Sequence, residues 1–262
     1  MRLLLLCLFS GLFSSVYAGT FYVESYESGY SEQTRHESVS PSSKRQRLDD
    51  RPLVLLTQDE TDTLKFANLM ENEENGRILS MRHVLRRHVD ITWMDIRQRI
   101  EWLQHVHTLY KLNDSVLYSA MTLFKRYLSQ VRALEKKHLA VLVITCYHIA
   151  SKLEDQHVYF RIRDAIQVTP FTRKDIMVSE EALLKTLKYR LRTVNPFELF
   201  TVYSHACTNS EGYPSLAAYI LELTMLFPEF WEKSPSLMAA STLYLAEYIW
   251  NDRHWVCLSL KR

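Results

Sequence analysis

Glycine and proline are scarce in this chain, 5 and 7 among 262 residues. Sandwiches and barrels need a turn after every short strand, and these residues supply many of those turns. Their scarcity, beside abundant Leu, Glu, Lys, Arg and Met, favours helices, and almost no sheet is expected. A surplus of one charge is also missing. Lys and Arg number 32 against 30 Asp and Glu, a formal net charge of +2, so no overall field gathers nucleic acid or an anionic membrane. We therefore expect no nucleic-acid partner and no membrane association of the mature form. Recognition has to be local.

Cysteine is sparse: Cys7 lies in the first apolar stretch, leaving Cys146, Cys207 and Cys257. An odd, widely spaced set is no disulfide framework, and these read as reduced, mostly buried thiols. Catalytic signatures are missing as well. There is no glycine-rich phosphate loop, Cys-x-x-Cys pair, His-Glu-x-x-His or nucleophile elbow. His105 and His107, two apart on a predicted helix, point to different faces and cannot share a metal. Glu71, Glu73 and Glu74 read as a solvated helix face. No catalytic residue, metal ligand or cofactor is assigned, and the chain is not expected to be an enzyme.

Hydrophobic residues make up 47% of the chain, enough for a sizeable core. Residues 1–18 read as a signal-peptide-like leader: Met1-Arg2, an apolar stretch from Leu3 to Val16, then Tyr17-Ala18 before Gly19. The cysteine pattern opposes secretion. Residues 19–58 form an arm rich in Ser, Glu, Tyr and Arg without apolar period, expected to be disordered. Within it Lys44, Arg45 and Arg47 form a compact basic run of the kind read by nuclear import factors, although such runs on solvated arms commonly do nothing. The expected location is nucleus or cytoplasm, with secretion as the opposing reading. Asn113-Asp114-Ser115 matches a glycosylation acceptor, but its plainer reading is a helix cap and turn.

Helical periodicity starts at Asp59 with a short lead-in helix ending near Gly76. Five helices are then expected at about 94–110, 117–128, 136–153, 160–168 and 172–187. The first carries an inward stripe of Ile96, Ile100, Leu103, Val106 and Leu109, with Asp90 or Thr92 as cap. The second starts after Asn113 or Asp114. The third is apolar around most of its circumference, which places it at the centre of a bundle. Three more helices follow at about 197–206, 216–226 and 236–250, opened by Pro196 at a first-turn position. With only three helices before Arg262, this second unit is expected to be incomplete or closed by something else.

The distinctive sequence is Ile149-Ala150-Ser151-Lys152-Leu153-Glu154-Asp155, a charge cluster ending the most apolar helix. Helix termination accounts for Lys152, near the carbonyl end, but not for the rest. Together with Trp102-Leu103-Gln104-His105-Val106-His107, Tyr110-Lys111-Leu112, Leu123-Phe124-Lys125-Arg126-Tyr127-Leu128-Ser129, Glu180-Glu181-Ala182-Leu183-Leu184-Lys185-Thr186-Leu187 and Leu191-Arg192-Thr193-Val194-Asn195-Pro196-Phe197, it resembles the cyclin family in order and spacing. The likeness runs from about Thr61 to Trp255 and includes Ser234 to Ser241, similar to a helix of A-, B-, E- and J-type cyclins. An E-like or J-like subtype fits best.

That resemblance implies an all-α cyclin fold: a cyclin box with its lead-in helix over 59–192, then an incomplete second cyclin fold over 193–262. It also implies a partner, a cyclin-dependent protein kinase, bound as a heterodimer and activated in cell-cycle control. Lys152 and Glu180 would hydrogen-bond the backbone around the kinase's regulatory helix. Leu153, Leu183 and Leu184 would add apolar contact, and Glu154 a rim contact. Two departures from the family pattern stand out. The arginine expected six residues before Trp102 is Ile96, with Arg97 next to it, and the position of its aspartate partner is held by Lys125. Gln98 and Arg99 occupy positions of an apolar docking patch, so substrate docking is expected to be weak or absent. The alternatives are a secreted or scaffold helical protein with this fold and no kinase, or a DNA-binding use of the fold, which the charge balance opposes.

Overall fold

The computed structural model describes residues 57–74, 78–155, 158–207 and 213–251. The leader, almost all of the arm and the basic run Lys44, Arg45 and Arg47 lie outside the described residues. Among the described residues there is no strand. The helices are α1 (Gln58–Glu74), α2 (Met81–Arg87), α3 (Trp93–Tyr110), α4 (Asp114–Gln130), α5 (Leu139–Glu154), α6 (Ile162–Val168), α7 (Arg173–Thr186), α8 (Pro196–Cys207), α9 (Tyr213–Thr224) and α10 (Pro235–Asn251). Single 3-10 turns at Lys136–His138 and Pro228–Phe230 precede α5 and α10.

Local chemistry sets the helix starts. The Thr92 hydroxyl accepts from the Asp95 amide at 3.3 Å while the Asp95 carboxylate accepts from the Thr92 amide at 2.9 Å, a reciprocal cap on α3. Thr172 and Asp175 repeat this arrangement on α7. Asn113, not Asp114, caps α4: its side-chain oxygen accepts from the Ser115 amide at 2.9 Å, the capping role expected of that tripeptide. Two departures from expectation have a local cause. Lys136 opens a 3-10 turn closed by His138 N–H to Glu135 C=O, so α5 proper begins at Leu139. The short α2 was not expected at all. Seven residues are too few for a periodic signal, and only Met81 and Val84 of it are buried.

Helices α3 to α7 form a five-helix bundle around α5, in which Leu139 and every residue from Val141 to Ser151 are buried. The expected central helix is therefore there. A second enclosed helix was not foreseen: fourteen of the seventeen residues of α4 are buried, against one predicted face. It lies between α5 and α8, the first helix of the following group. Its serines and threonine survive burial because each hydroxyl is paired. Thr122 donates to the Tyr118 carbonyl, Ser129 to the Lys125 carbonyl, and Ser115 and Ser119 to Glu154.

Helices α8, α9 and α10 pack on one another, and α1 lies against α8 with Glu60 and the His205 ring 2.7 Å apart. Asn195 ties the two groups together. It is fully buried; its Oδ1 accepts from the Phe197 and Glu198 amides, capping α8, while its Nδ2 donates to Ser115 and Ser119 on α4 at 2.9 and 3.0 Å. Nearby, Tyr118 stacks on Phe197 at 5.3 Å. Trp231 meets Trp93 and Phe124 edge-on, each at 6.1 Å.

Candidate functional site

The charge cluster at the end of α5 and the acidic face of α7 meet. Lys152 donates to Glu180 Oε1 at 2.6 Å, and Glu180 Oε2 lies 4.0 Å from His148 Nε2. Half-buried on the surface, such a pair contributes about 0–1 kcal/mol. It orients two side chains rather than stabilising the fold, and no further partner fills its remaining valences among the described residues.

What holds the pair is buried beneath it. His148 donates from Nδ1 to the Phe160 carbonyl at 2.6 Å. The Ser151 hydroxyl donates to the His148 carbonyl at 2.8 Å and accepts from the Phe160 amide at 3.1 Å. Phe160 in turn is packed edge-on against Tyr110 at 4.7 Å and Tyr147 at 5.1 Å. Ser151 and His148 thus fasten the connection after α5 to its last turn, fixing where Lys152 leaves the helix. Burial pushes the His148 imidazole below its ordinary pKa, so the ring beside Glu180 is neutral at neutral pH. The sequence reading gave neither residue a role. The signal was a serine and a histidine three apart on a helix too apolar to tolerate unpaired polar groups.

Around the pair the surface is apolar. Leu153 is half exposed, Leu184 partly so, and Met177 and Val178 stand open on α7 beside Glu180. Leu183 does not join them. It is fully buried, on the inner stripe of α7 with Ile176, so the surface contact expected of it is corrected to a core role. Glu154 is exposed and is also bonded within the chain. Its carboxylate accepts from Ser115 at 2.8 Å and Ser119 at 2.5 Å, the two hydroxyls held by Asn195. It thereby also joins the seam between the helical groups.

Ile96 is completely buried. Lys125 makes no ion pair among the described residues and sits over the Trp231 ring at 5.3 Å, so an apolar and a cation–π contact stand where the ion pair was expected to be lost. The outer face of α3 is ionic. Asp95 pairs with Lys136 at 2.6 Å, Arg97 with Glu101 at 2.8 Å, and Gln98 is exposed.

The family model of the cyclin N-terminal domain matches residues 65–192, and that of the cyclin C-terminal domain matches 193–258. The chain belongs to the cyclin family. A putative cyclin-B3-1 of Arabidopsis thaliana is 33% identical over 166 residues, 63% of this chain and 41% of that protein. Cyclin-A1-2 of the same plant is 33% identical over 200 residues, 74% of this chain and 42% of that protein. The G2/mitotic-specific cyclin-A of Drosophila melanogaster is 26% identical over 232 residues, 87% and 45%. This cyclin therefore spans less than half the length of these relatives. A viral cyclin from herpesvirus saimiri superposes with a TM-score of 0.61 at 18% identity, over 73% of this chain and 86% of that one, which establishes the shared all-helical fold. Among the described residues no helix of this cyclin is long and apolar enough to cross a membrane.

Proposed function

We propose that this cyclin is a non-catalytic regulatory subunit that binds a cyclin-dependent serine/threonine kinase and activates it in cell-cycle control, in the nucleus or cytoplasm. The observation carrying this reading is the Lys152–Glu180 pair, held by buried bonds and ringed by exposed Leu153, Met177 and Val178 and partly exposed Leu184. Apolar side chains around a few oriented charges are the usual make-up of an interface that is both tight and specific. A kinase becomes active when its regulatory helix brings a glutamate to the catalytic lysine, so a partner that binds only the inward position raises activity without doing chemistry.

The test is co-purification of the full chain with cyclin-dependent kinases followed by a histone kinase assay, wild type beside a Lys152→Ala, Glu180→Ala double variant. The pair is half-buried at the surface and contributes little to stability, so the variant is expected to fold, with an unchanged circular dichroism spectrum. Kinase binding is expected to fall at least about tenfold, in line with loss of central interface charges. Equal binding by the two proteins would remove this surface from the interface.

Substrate docking by this cyclin is weak or absent in the same proposal. A docking patch needs apolar floor to bury leucine side chains, and α3 offers Gln98, Arg99 and the Asp95–Lys136 pair instead. An Arg-x-Leu peptide is expected to show no saturable binding in a fluorescence-polarisation titration. Low-micromolar affinity would overturn that part.

A further inference from the structure

A cleft of about 120 Å³ lies away from the Lys152–Glu180 surface, between α4, the start of α8 and the segment that carries Trp231. Its walls are largely apolar, with Tyr118, Met121, Pro196, Met225 and Phe230 among them. Lys125 lines it as well. No ion pair or hydrogen bond is made by this ammonium among the described residues; its one partner is the face of Trp231. Burial alone pulls its pKa down to about 8. A second donor lines the same cleft: Trp231 Nε1–H is buried and has no acceptor among the described residues.

An ammonium removed from water without a counter-charge is costly, and an aromatic face offsets only part of that cost. The deficit is for one negative charge, and the surrounding wall is suited to hydrocarbon. We propose that this cleft binds a small carboxylate with an apolar body, its charge received by Lys125. Glu232 and Lys233 line the cleft too and offset one another in charge, so the net excess is the single cation of Lys125, which matches one carboxylate better than a phosphate of higher charge. At about 120 Å³ the cleft is smaller than the cavity of about 150 Å³ that accommodates benzene, so it takes only part of an aryl body, the rest lying at its open mouth. The inference does not rest on kinase binding, because it uses a different face of the molecule.

The test titrates phenylacetate into the full chain and follows the indole N–H signals by NMR, with phenylacetamide as uncharged control and sodium acetate as a control for charge alone. Phenylacetate is expected to bind saturably and to shift an indole N–H signal, with phenylacetamide and acetate each at least tenfold weaker. Lys125→Met keeps the side-chain length and removes the charge. It is expected to weaken phenylacetate at least tenfold, to leave phenylacetamide unchanged and to keep the remaining indole signals in place. Lys125→Arg is expected to retain the acid and serves as second variant should the methionine disturb folding. Equal affinity for acid and amide, undiminished binding to a folded Lys125→Met protein, or an identical response to acetate would each overturn the proposal.

Discussion

Asn195 shows how much one side chain settles between two groups of helices. Its oxygen caps α8 and its nitrogen reaches two hydroxyls on α4 that in turn satisfy Glu154. Loss of a cap costs about 1 kcal/mol, and stranding buried partners costs about 1–3 kcal/mol more. Asn195→Ala is accordingly expected to lower stability by about 2–4 kcal/mol, read as a shift of the urea midpoint with unchanged slope. A shift worth under about 0.5 kcal/mol would be that of an ordinary surface change and would deny the tie its role. The sequence places Asn195 before Pro196, at a helix start, but has no way of showing that its amide nitrogen meets serines 76 and 80 positions earlier. Glu154 carries the same lesson. Its place beside Lys152 suggests a shared outward role, yet successive residues on a helix lie about 100° apart, and the two side chains serve different surfaces.

At the scale of the helix, position within a turn was readable and partnership was not. Ile176, Leu183 and Leu187 follow one inner stripe, and all three are buried; that spacing alone places Leu183 inside and leaves Leu184 for the surface. The helices themselves emerge from apolar periodicity and caps, except α2, whose seven residues are too short to show a period. The cap of α3 also predicts a pH response. Hydrogen bonding from Lys136, then from Thr92, holds the Asp95 carboxyl at about 2, below its ordinary 3.8. A depressed carboxyl stabilises the fold fully above the unfolded value and loses that contribution as pH falls toward the folded one. The stability difference between wild type and Asp95→Asn is therefore expected to be constant above about pH 5 and to shrink between about pH 4 and 2. Acid titrations of both proteins in urea would measure it, and a difference independent of pH would sink the assignment.

At the scale of the whole chain, the order of the helices and the central place of α5 were legible, because an all-round apolar helix has to be wrapped by others. The seam between the two groups was not legible, since it is made of residues far apart in sequence. Trp231 is its main apolar element. The side chain is 2% exposed and reaches Trp93, Phe124 and Lys125 in the first group from a position in the second. Truncating a buried tryptophan costs about 3–5 kcal/mol through lost contact and the cavity left behind. In Trp231→Ala that loss falls on the seam, while the bundle around α5 keeps its own core. Helices α8 to α10 are then expected to open first, with amide exchange there accelerating while α5 amides stay protected, so that one unfolding transition becomes two. Uniform acceleration of exchange across both groups would instead mean that the seam does not set their cooperativity, and that the five-helix bundle cannot stand without the helices that follow it.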